Sequence, residues 1–285
     1  MNSSFLRQPE LPSDAFLRAL RARLPHEAVE RAVMPSGVEV IGVSVARGKV
    51  FAVWDEWRKR HGETGWWPYV TLQSPDDLAR SRRQEDVDEV VERWVAEVAC
   101  QDHDARAASV VLSSFRWSMD CAAGDEEDQE GWRDDYDPDR LAPQLAPARA
   151  EPLPGVSRWG TGDRDSFWGQ SQRWINFVPV RGGYEVPAVL PHLYGTCNWF
   201  GYDGRVLTPA DDAALLRRWH EQWGAELFLA QGPYLELVVD RPPLDPRDAA
   251  RATSELQGYC SDTVQRPQHD GDTWLRSTVW SLWWD

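Results

Sequence analysis

The C-terminal part of the chain alternates between segments typical of strands and segments typical of amphipathic helices. Two runs rich in β-branched and aromatic residues, 173–180 and 184–191, flank a Gly-Gly turn and predict a β-hairpin. Thr208-Pro209 then supplies a hydroxyl N-cap and a proline at the first helical position. Because apolar residues recur at helical spacing until Gly224, we expect a helix between these points.

Two more strands and a second helix are predicted beyond Gly224. The segments AELFLAQ and YLELVVD read as strands on either side of Gly232-Pro233, and Asp245-Pro246 begins a helix with the same capping pattern. The chain ends in STVWSLWWD, whose β-branched residues and missing helix cap favour a closing strand. The C-terminal half therefore has the predicted order β-β-α-β-β-α-β. We expect an α+β fold in which a mixed or antiparallel sheet packs against helices.

The three tryptophans of the closing strand are predicted to differ in burial. Side chains alternate between the two faces of a strand, so Trp280, Leu282 and Trp284 share one face while Trp283 lies on the other. Burying an indole contributes about 3 kcal/mol or more to stability, enough to hold a chain terminus in place. We expect Trp280 and Trp284 to belong to the core.

The N-terminal half has a less regular pattern. A helix from Ser13 to about Leu24, with Ser13 as its cap, and a strand over GVEVIGVSV are the first two predicted elements. The segment Ser74–Asp77 repeats the helix-capping pattern. A second amphipathic helix is predicted from one apolar stripe, formed by Val87, Val90, Val91, Trp94 and Val98. The segment ASVVLSSFRW, 108–117, reads as another strand.

Residues 121–155 differ from the rest in composition. Nine acids and one arginine lie between Gly124 and Asp139, and prolines recur from Pro138 to Pro154. Proline disrupts helices and central strands, so we interpret residues 121–155 as a mobile linker or surface insertion that buries little apolar area. The predicted organisation is an N-terminal α+β region, 1–120, this acidic proline-rich linker or insertion, and a C-terminal α+β domain, 156–285.

The net charge and the hydropathy of the chain disfavour two classes of binding partner. The formal net charge of the 285 residues is −15, and residues 124–139 account for about half of it. Nucleic-acid binding is disfavoured because it relies on clustered lysine and arginine. No apolar run is long enough for a membrane span, and the N-terminus lacks the pattern of a signal peptide. We therefore expect no nucleic-acid or membrane partner and a cytoplasmic location.

The sequence contains no catalytic, metal or cofactor signature. The four cysteines form no C-x-x-C pair, and His220-Glu221 lacks the second histidine of the H-E-x-x-H motif because Gly224 occupies that position. Cys260 could act as a nucleophile only if a base and an orienting group approached it in the fold. We assign no catalytic residues, no metal ligands and no cofactor.

Tryptophan-rich loops provide the candidate binding residues. The chain has 17 tryptophans, and the glycine-bounded segment GTCNWFGYDG gathers Asn198, Trp199, Phe200 and Tyr202. Exposed aromatic residues on loops are typical of protein interfaces and ligand pockets, although such a loop can also be held in place by its own aromatic side chains. The candidate binding residues are Asn198, Trp199, Tyr202, His220, Tyr259 and Asp262.

Four segments carry a resemblance to a known family. Taken in this order and spacing, LLRRWHEQWGAELFLA, LELVVDRPP, ARATSELQGYCSD and WSLWWD resemble the bacterial family known as domain of unknown function 4253. The resemblance covers about Trp174 to Asp285, and Ser261 stands where members more usually have proline. It implies a shared fold unit and no established reaction, so no residue role follows from it.

Two functions are consistent with these observations. The first is a non-enzymatic protein-interaction module, such as an inhibitor or immunity-type protein, whose acidic surface and aromatic loops bind a basic protein. The alternative is a small-molecule binding protein or hydrolase with a pocket near Asn198–Tyr202 and His220.

Overall fold

The computed structural model describes residues 9–81, 88–157, 172–191, 193 and 199–285 of the chain. Within these ranges it is an α+β protein built on one mixed seven-stranded sheet, which confirms the predicted fold class. The strands are β1 (Val29–Val33), β2 (Glu39–Ala46), β3 (Trp66–Thr71), β4 (Gln172–Pro179), β5 (Ala225–Gln231), β6 (Tyr234–Val239) and β7 (Val279–Trp283).

The described helices are α1 (Ser13–Arg23), α2 (Val50–Lys59), α3 (His61–Thr64), α4 (Pro75–Ser81), α5 (Asp88–Cys100), α6 (His103–Cys121), α7 (Glu126–Tyr136), α8 (Pro138–Leu141), α9 (Val186–Val189), α10 (Pro209–Trp223), α11 (Pro246–Tyr259) and α12 (Pro267–Asp272). None of these helices is long and apolar enough to cross a membrane.

The sheet interleaves strands from both halves of the sequence. Its strand order is β1-β2-β4-β3-β5-β6-β7, and all neighbours are antiparallel except β3 and β5. Ile175 of β4 lies opposite Val43 of β2 on one side and opposite Val70 of β3 on the other. Strand β4 therefore takes both of its neighbours from residues 1–120, and the predicted N-terminal and C-terminal regions share one sheet.

Each face of the sheet carries its own apolar cluster. Aromatic residues of α1 and α2, among them Phe16, Trp54 and Trp57, pack on one face around Phe177 and Phe228. The stripes of α10 and α11 cover the other face, where Trp219 meets Trp280 edge to face. Helix α6 packs in turn against α10 and α11, so it lies on the outer side of this helical layer.

Local capping signals located α10 correctly. Thr208 and Asp211 form a reciprocal capping box, in which the Thr208 N–H donates to the Asp211 carboxylate at 2.9 Å and the Asp211 N–H donates to the Thr208 hydroxyl at 3.3 Å. Gly224 ends the helix in the left-handed conformation at φ 63°. The predicted strands β5, β6 and β7 and the predicted helix α11 are also confirmed.

The hairpin predicted from 173–180 and 184–191 is wrong in its second strand, whereas its first strand corresponds to β4. Residues Val186–Val189 form the short helix α9 after a tight turn, in which the Arg181 N–H donates to the Glu185 carboxylate at 2.7 Å. A second hairpin strand would need a free edge on β4, and β2 and β3 occupy both edges. Pro187 lies in the first turn of α9, where its missing N–H is not needed.

The strand predicted over 108–117 is also wrong, because these residues belong to the 19-residue helix α6. The Asp102 carboxylate accepts the Ala105 N–H at 3.0 Å, and Ala107, Val110 and Ser114 recur as buried positions at helical spacing. The adjacent valines favoured a strand locally, but burial on α10 and α11 fixes the helix.

The other N-terminal elements follow the prediction with one correction. Helices α1, α4 and α5 and strand β2 occur where the pattern placed them. However, Ser13 does not cap α1: its hydroxyl donates to the Glu39 carboxylate, and Pro12 occupies the N-cap position without a side-chain bond.

Residues 121–155 pack on the domain, so the expectation that they bury little is wrong. They form α7 and α8, and Tyr136, Leu141 and Leu145 are buried. The fully buried Arg276 donates to the carbonyl oxygens of Pro147 and Ala146 at 2.9 and 2.8 Å. The prolines fall after α7 and in the first turn of α8, where they do not interrupt a helix.

Candidate functional site

The candidate binding residues do not form one site. Asn198 lies outside the described residues. Trp199 is buried, and its indole N–H donates to the carbonyl oxygen of Gly258 at 2.7 Å. Trp199 therefore fixes its loop to the end of α11 and does not face a partner.

Tyr259 and Asp262 stabilise the fold. Tyr259 is buried against Trp219, and its hydroxyl donates to the Asp212 carboxylate at 2.9 Å. The pKa of Asp212 is raised to about 7, because burial raises it, the Tyr259 hydrogen bond lowers it and the neighbouring Asp211 raises it. Asp262 accepts the backbone N–H of Asp285 at 2.9 Å, which ties down the end of the chain.

His220 lies among a different set of neighbours. Its ring centroid is 5.7 Å from that of Tyr184, and its Nδ1 is 3.9 Å from the Glu226 carboxylate. Neither contact involves Trp199, Tyr202 or Tyr259. The predicted pairing of His220 with the 198–202 loop in one pocket has no contact to support it among the described residues.

Tyr202 lies on a solvent-exposed aromatic surface along α6. The Tyr202 N–H donates to the Ser113 hydroxyl at 3.0 Å, which seats the loop on the helix. Phe200 stacks on Trp117 with ring centroids 5.1 Å apart and an angle of 21° between planes. We call Trp117, Phe200 and Tyr202 the aromatic ridge; their exposed fractions are 37%, 50% and 46%.

Backbone geometry holds the ridge in place. A side chain at Gly201 would place its Cβ 2.5 Å from the Trp199 ring and 2.8 Å from the Ser113 hydroxyl, so only glycine lets the loop approach α6 this closely. Asp203 and Gly204 adopt the left-handed conformation with φ of 58° and 72°, which turns the chain immediately after Tyr202. The Arg205 guanidinium then binds Ser109 of α6 at 2.9 Å.

The acidic helix α7 borders the ridge. A cavity of about 500 Å³ is lined by Tyr202, by residues of α6 including Phe115 and Arg116, and by Arg133 of α7. The Asp125 carboxylate caps α7, and the acids of its first two turns are exposed, namely Glu126, Glu127, Asp128 and Glu130. Helix α7 thus carries exposed carboxylates in its first two turns, and its Arg133 shares a cavity with Tyr202 of the ridge.

The geometry around Cys260 does not fit a nucleophile. The residue is buried, and its thiol lies 3.1 Å from the Trp283 carbonyl oxygen, to which it donates. Burial raises the pKa of the thiol to about 12, so the thiolate is not populated near neutral pH. In the described part of the chain, no three His, Cys, Asp or Glu side chains converge on a position that could hold a metal ion.

Sequence reasoning missed Trp117 and the role of α6. Because 108–117 was predicted to be a strand, the residues on the exposed face of helix α6 could not be identified. The signal was the Asp102 cap followed by small residues at helical spacing, which places Leu112 and Trp117 outside the buried stripe.

The fold and the surface together describe an α+β protein with exposed aromatic rings along α6 and exposed carboxylates on α7. Residues 175–285 match the family model described as a domain of unknown function, DUF4253, which confirms the resemblance predicted for the C-terminal part. The match begins within β4 and runs to the end of the chain, so it leaves out the three strands that complete the sheet around β4. No curated protein and no solved structure matches the chain.

Proposed function

We propose that the chain is a non-enzymatic protein-interaction module, of the inhibitor or immunity type, that binds a basic protein through the aromatic ridge and helix α7. The observation that carries this proposal is the stacked pair of Trp117 and Phe200, whose side chains are 37% and 50% exposed to solvent. The few residues that dominate binding energy in protein interfaces are enriched in tryptophan and tyrosine, and charged groups at the rim direct the approach of the partner.

The rigidity of the ridge supports a binding role. The Gly201 contact and the Tyr202–Ser113 hydrogen bond order these side chains before a partner arrives. Arg116 also lies over the Tyr202 ring, with its guanidinium carbon 5.9 Å from the ring centroid. Preordered aromatic side chains lose little conformational entropy on association, which favours affinity.

The charge of α7 supports a basic partner. Its exposed acids lie within two turns and outnumber the arginines that pair with them, Arg133 and Arg140. A basic partner would neutralise this self-repulsion and associate faster at low ionic strength.

A comparison of variants tests the proposal. The full chain, a W117A/F200A variant and an F51A variant are used to capture proteins from the native host at about 50 and about 300 mM salt, with retained proteins quantified by mass spectrometry. Phe51 is the matched control because it is 43% exposed and packs on Trp54 and Phe228, on the other side of the sheet.

We expect one basic protein to be retained by the full chain and by F51A, to be lost with W117A/F200A, and to be retained less at the higher salt. Its purified form should bind the full chain directly. Identical sets of retained proteins for all three baits, or a partner that is acidic, would contradict the proposal.

The alternative, a small-molecule binder or hydrolase near Asn198–Tyr202 and His220, has less support. Among the described residues His220 and Tyr202 have different neighbours, and the buried Cys260 thiol does not fit a nucleophile.

A further inference from the structure

A cleft lies between α6 and α11 and is closed at one end by α7 and α8. Its volume is about 520 Å³, within the roughly 300–1,000 Å³ typical of small-molecule sites. Residues of α6 form its apolar wall: Ala107, Ala108, Val111, Leu112 and Phe115. Neither the family description nor the aromatic ridge accounts for this cleft.

The charge of the lining is opposite to that of the chain. Four arginines line the cleft, Arg133, Arg140, Arg218 and Arg251, against only two carboxylates, Asp137 and Glu255. The whole chain carries a formal charge of −15, so a lining with a surplus of arginine departs from the surface around it. A site of this kind favours an anion.

The four arginines differ in how fully they are paired. Arg218 is held between Asp104 and Glu255 at 2.7 and 2.8 Å, and Arg140 binds several acids of α7 and its neighbourhood. Arg251 differs from both, because its ion-pair contact in the described structure is Asp248 at 3.8 Å, beyond hydrogen-bonding distance. Its guanidinium, 45% exposed, can donate to a ligand without first giving up a strong bond.

The lining also limits the class of anion. An apolar wall stabilises a hydrocarbon or aromatic body, whereas a small inorganic ion would leave that wall in contact with water. Asp137 and Glu255 would repel a group with several negative charges. A single carboxylate matches the fork of N–H donors on an arginine.

We infer that this cleft is a binding site for a small amphipathic monoanion, an apolar or aromatic body that carries one carboxylate, with Arg251 as the anion-binding residue. The inference does not rest on the proposed protein partner, because Trp117, Phe200 and Tyr202 are not among the lining residues, although Phe115 and Arg133 line both this cleft and the cavity beside Tyr202.

Three probes that share one apolar body test the inference. The binding of 4-phenylbutyrate, 4-phenylbutan-1-ol and 4-phenylbutylamine to the full chain is measured by isothermal titration calorimetry. We expect the carboxylate to bind about tenfold or more tightly than the alcohol, and the ammonium compound to bind most weakly, because charge-assisted hydrogen bonds are roughly twice as strong as neutral ones.

Two pairs of variants locate the site. R251Q should weaken the binding of phenylbutyrate about tenfold and leave the affinity for the alcohol unchanged. The control is R247Q, because Arg247 is an exposed arginine on the same helix that does not line the cleft, and it should change neither affinity. A108W should abolish the binding of every probe by filling the cleft. The control is A96W, which introduces the same side chain at an exposed position of α5 and should leave the binding of the probes unchanged.

Ala108 is exposed, so the larger side chain can project into the cleft without disturbing the core, and an unchanged melting temperature checks this. Equal affinities for the three probes, undiminished binding to A108W, or no binding of phenylbutyrate at all would overturn the inference. The F200A variant should bind phenylbutyrate normally, which separates this site from the protein-binding surface.

Discussion

The three tryptophans near the C-terminus differ in burial, and we expect them to differ in their contribution to stability. Trp280 and Trp284 are buried with exposed fractions of 0% and 1%, whereas Trp283 on the opposite face is only partly buried. Each buried indole also donates a hydrogen bond: that of Trp280 to the Leu275 carbonyl at 2.9 Å, and that of Trp284 to the Tyr259 carbonyl at 3.3 Å. The alternation predicted from the sequence is confirmed.

At this scale we predict unequal effects of alanine substitution. W280A and W284A should each lower the free energy of unfolding by about 3–5 kcal/mol, because each leaves a large cavity beside rings that cannot close it. W283A is the matched control and should cost clearly less. Urea unfolding of the three variants measures the difference, and equal losses at all three positions would show that both faces of β7 are equally covered.

At the scale of elements, the acidic segment 121–155 is attached by contacts that its composition hides. Ser254 of α11 donates to the Tyr136 carbonyl at 2.6 Å, and Leu141 and Leu145 pack against Ala249 and Ala250. If the segment were removed, the fully buried Arg276 would lose both carbonyl acceptors and, among the described residues, keep only its ion pair with Asp272 at 3.3 Å, which would destabilise the fold.

We therefore predict that replacing residues 121–155 with a flexible glycine–serine linker strongly destabilises the protein. The melting temperature should fall by more than about 10 °C, since 1 kcal/mol corresponds to about 2–4 °C in a chain of this size and several such contacts are lost. Differential scanning calorimetry measures the shift. L141A should reproduce part of it, and an unchanged melting temperature for the replaced chain would show that the segment is a dispensable insertion.

At the scale of the whole molecule, the sheet makes the two halves of the sequence depend on each other. Strand β4 lies between β2 and β3 and pairs with both, whereas β2 and β3 do not pair with each other. Strand β5 joins the sheet by pairing with β3. The division into regions 1–120 and 156–285 remains a prediction about sequence organisation, and the interleaved strands argue against independent folding of either region.

Expression of fragments tests this dependence. We expect fragment 156–285 to show no cooperative unfolding by circular dichroism, because β4 would expose two unpaired edges and the apolar surface that α1 and α2 cover. Co-expression with fragment 1–155 should restore a folded complex, detected by size-exclusion chromatography. A cooperatively folded fragment 156–285 would identify it as an autonomous domain.

The sequence by itself determined the elements that local chemistry fixes. The capping box of Thr208 and Asp211, the left-handed Gly224 and the alternation of Trp280, Trp283 and Trp284 depend on neighbours a few residues away, so their geometry could be read from spacing. The same holds for the α+β class and for the resemblance of the C-terminal part to its family.

Only the tertiary structure decided the contacts between distant segments. Residues 184–191 form no strand because β2 and β3 already occupy both edges of β4, and the helix α9 covers Val186–Val189 instead. Residues 108–117 form a helix because α10 and α11 bury one side of it. The separation of His220 from Tyr202, the position of Trp117 beside Phe200 and the arginine-lined cleft depend on which helices pack together. Hydrophobic burial is non-directional, so an apolar pattern shows that a residue will be covered but not which segment will cover it.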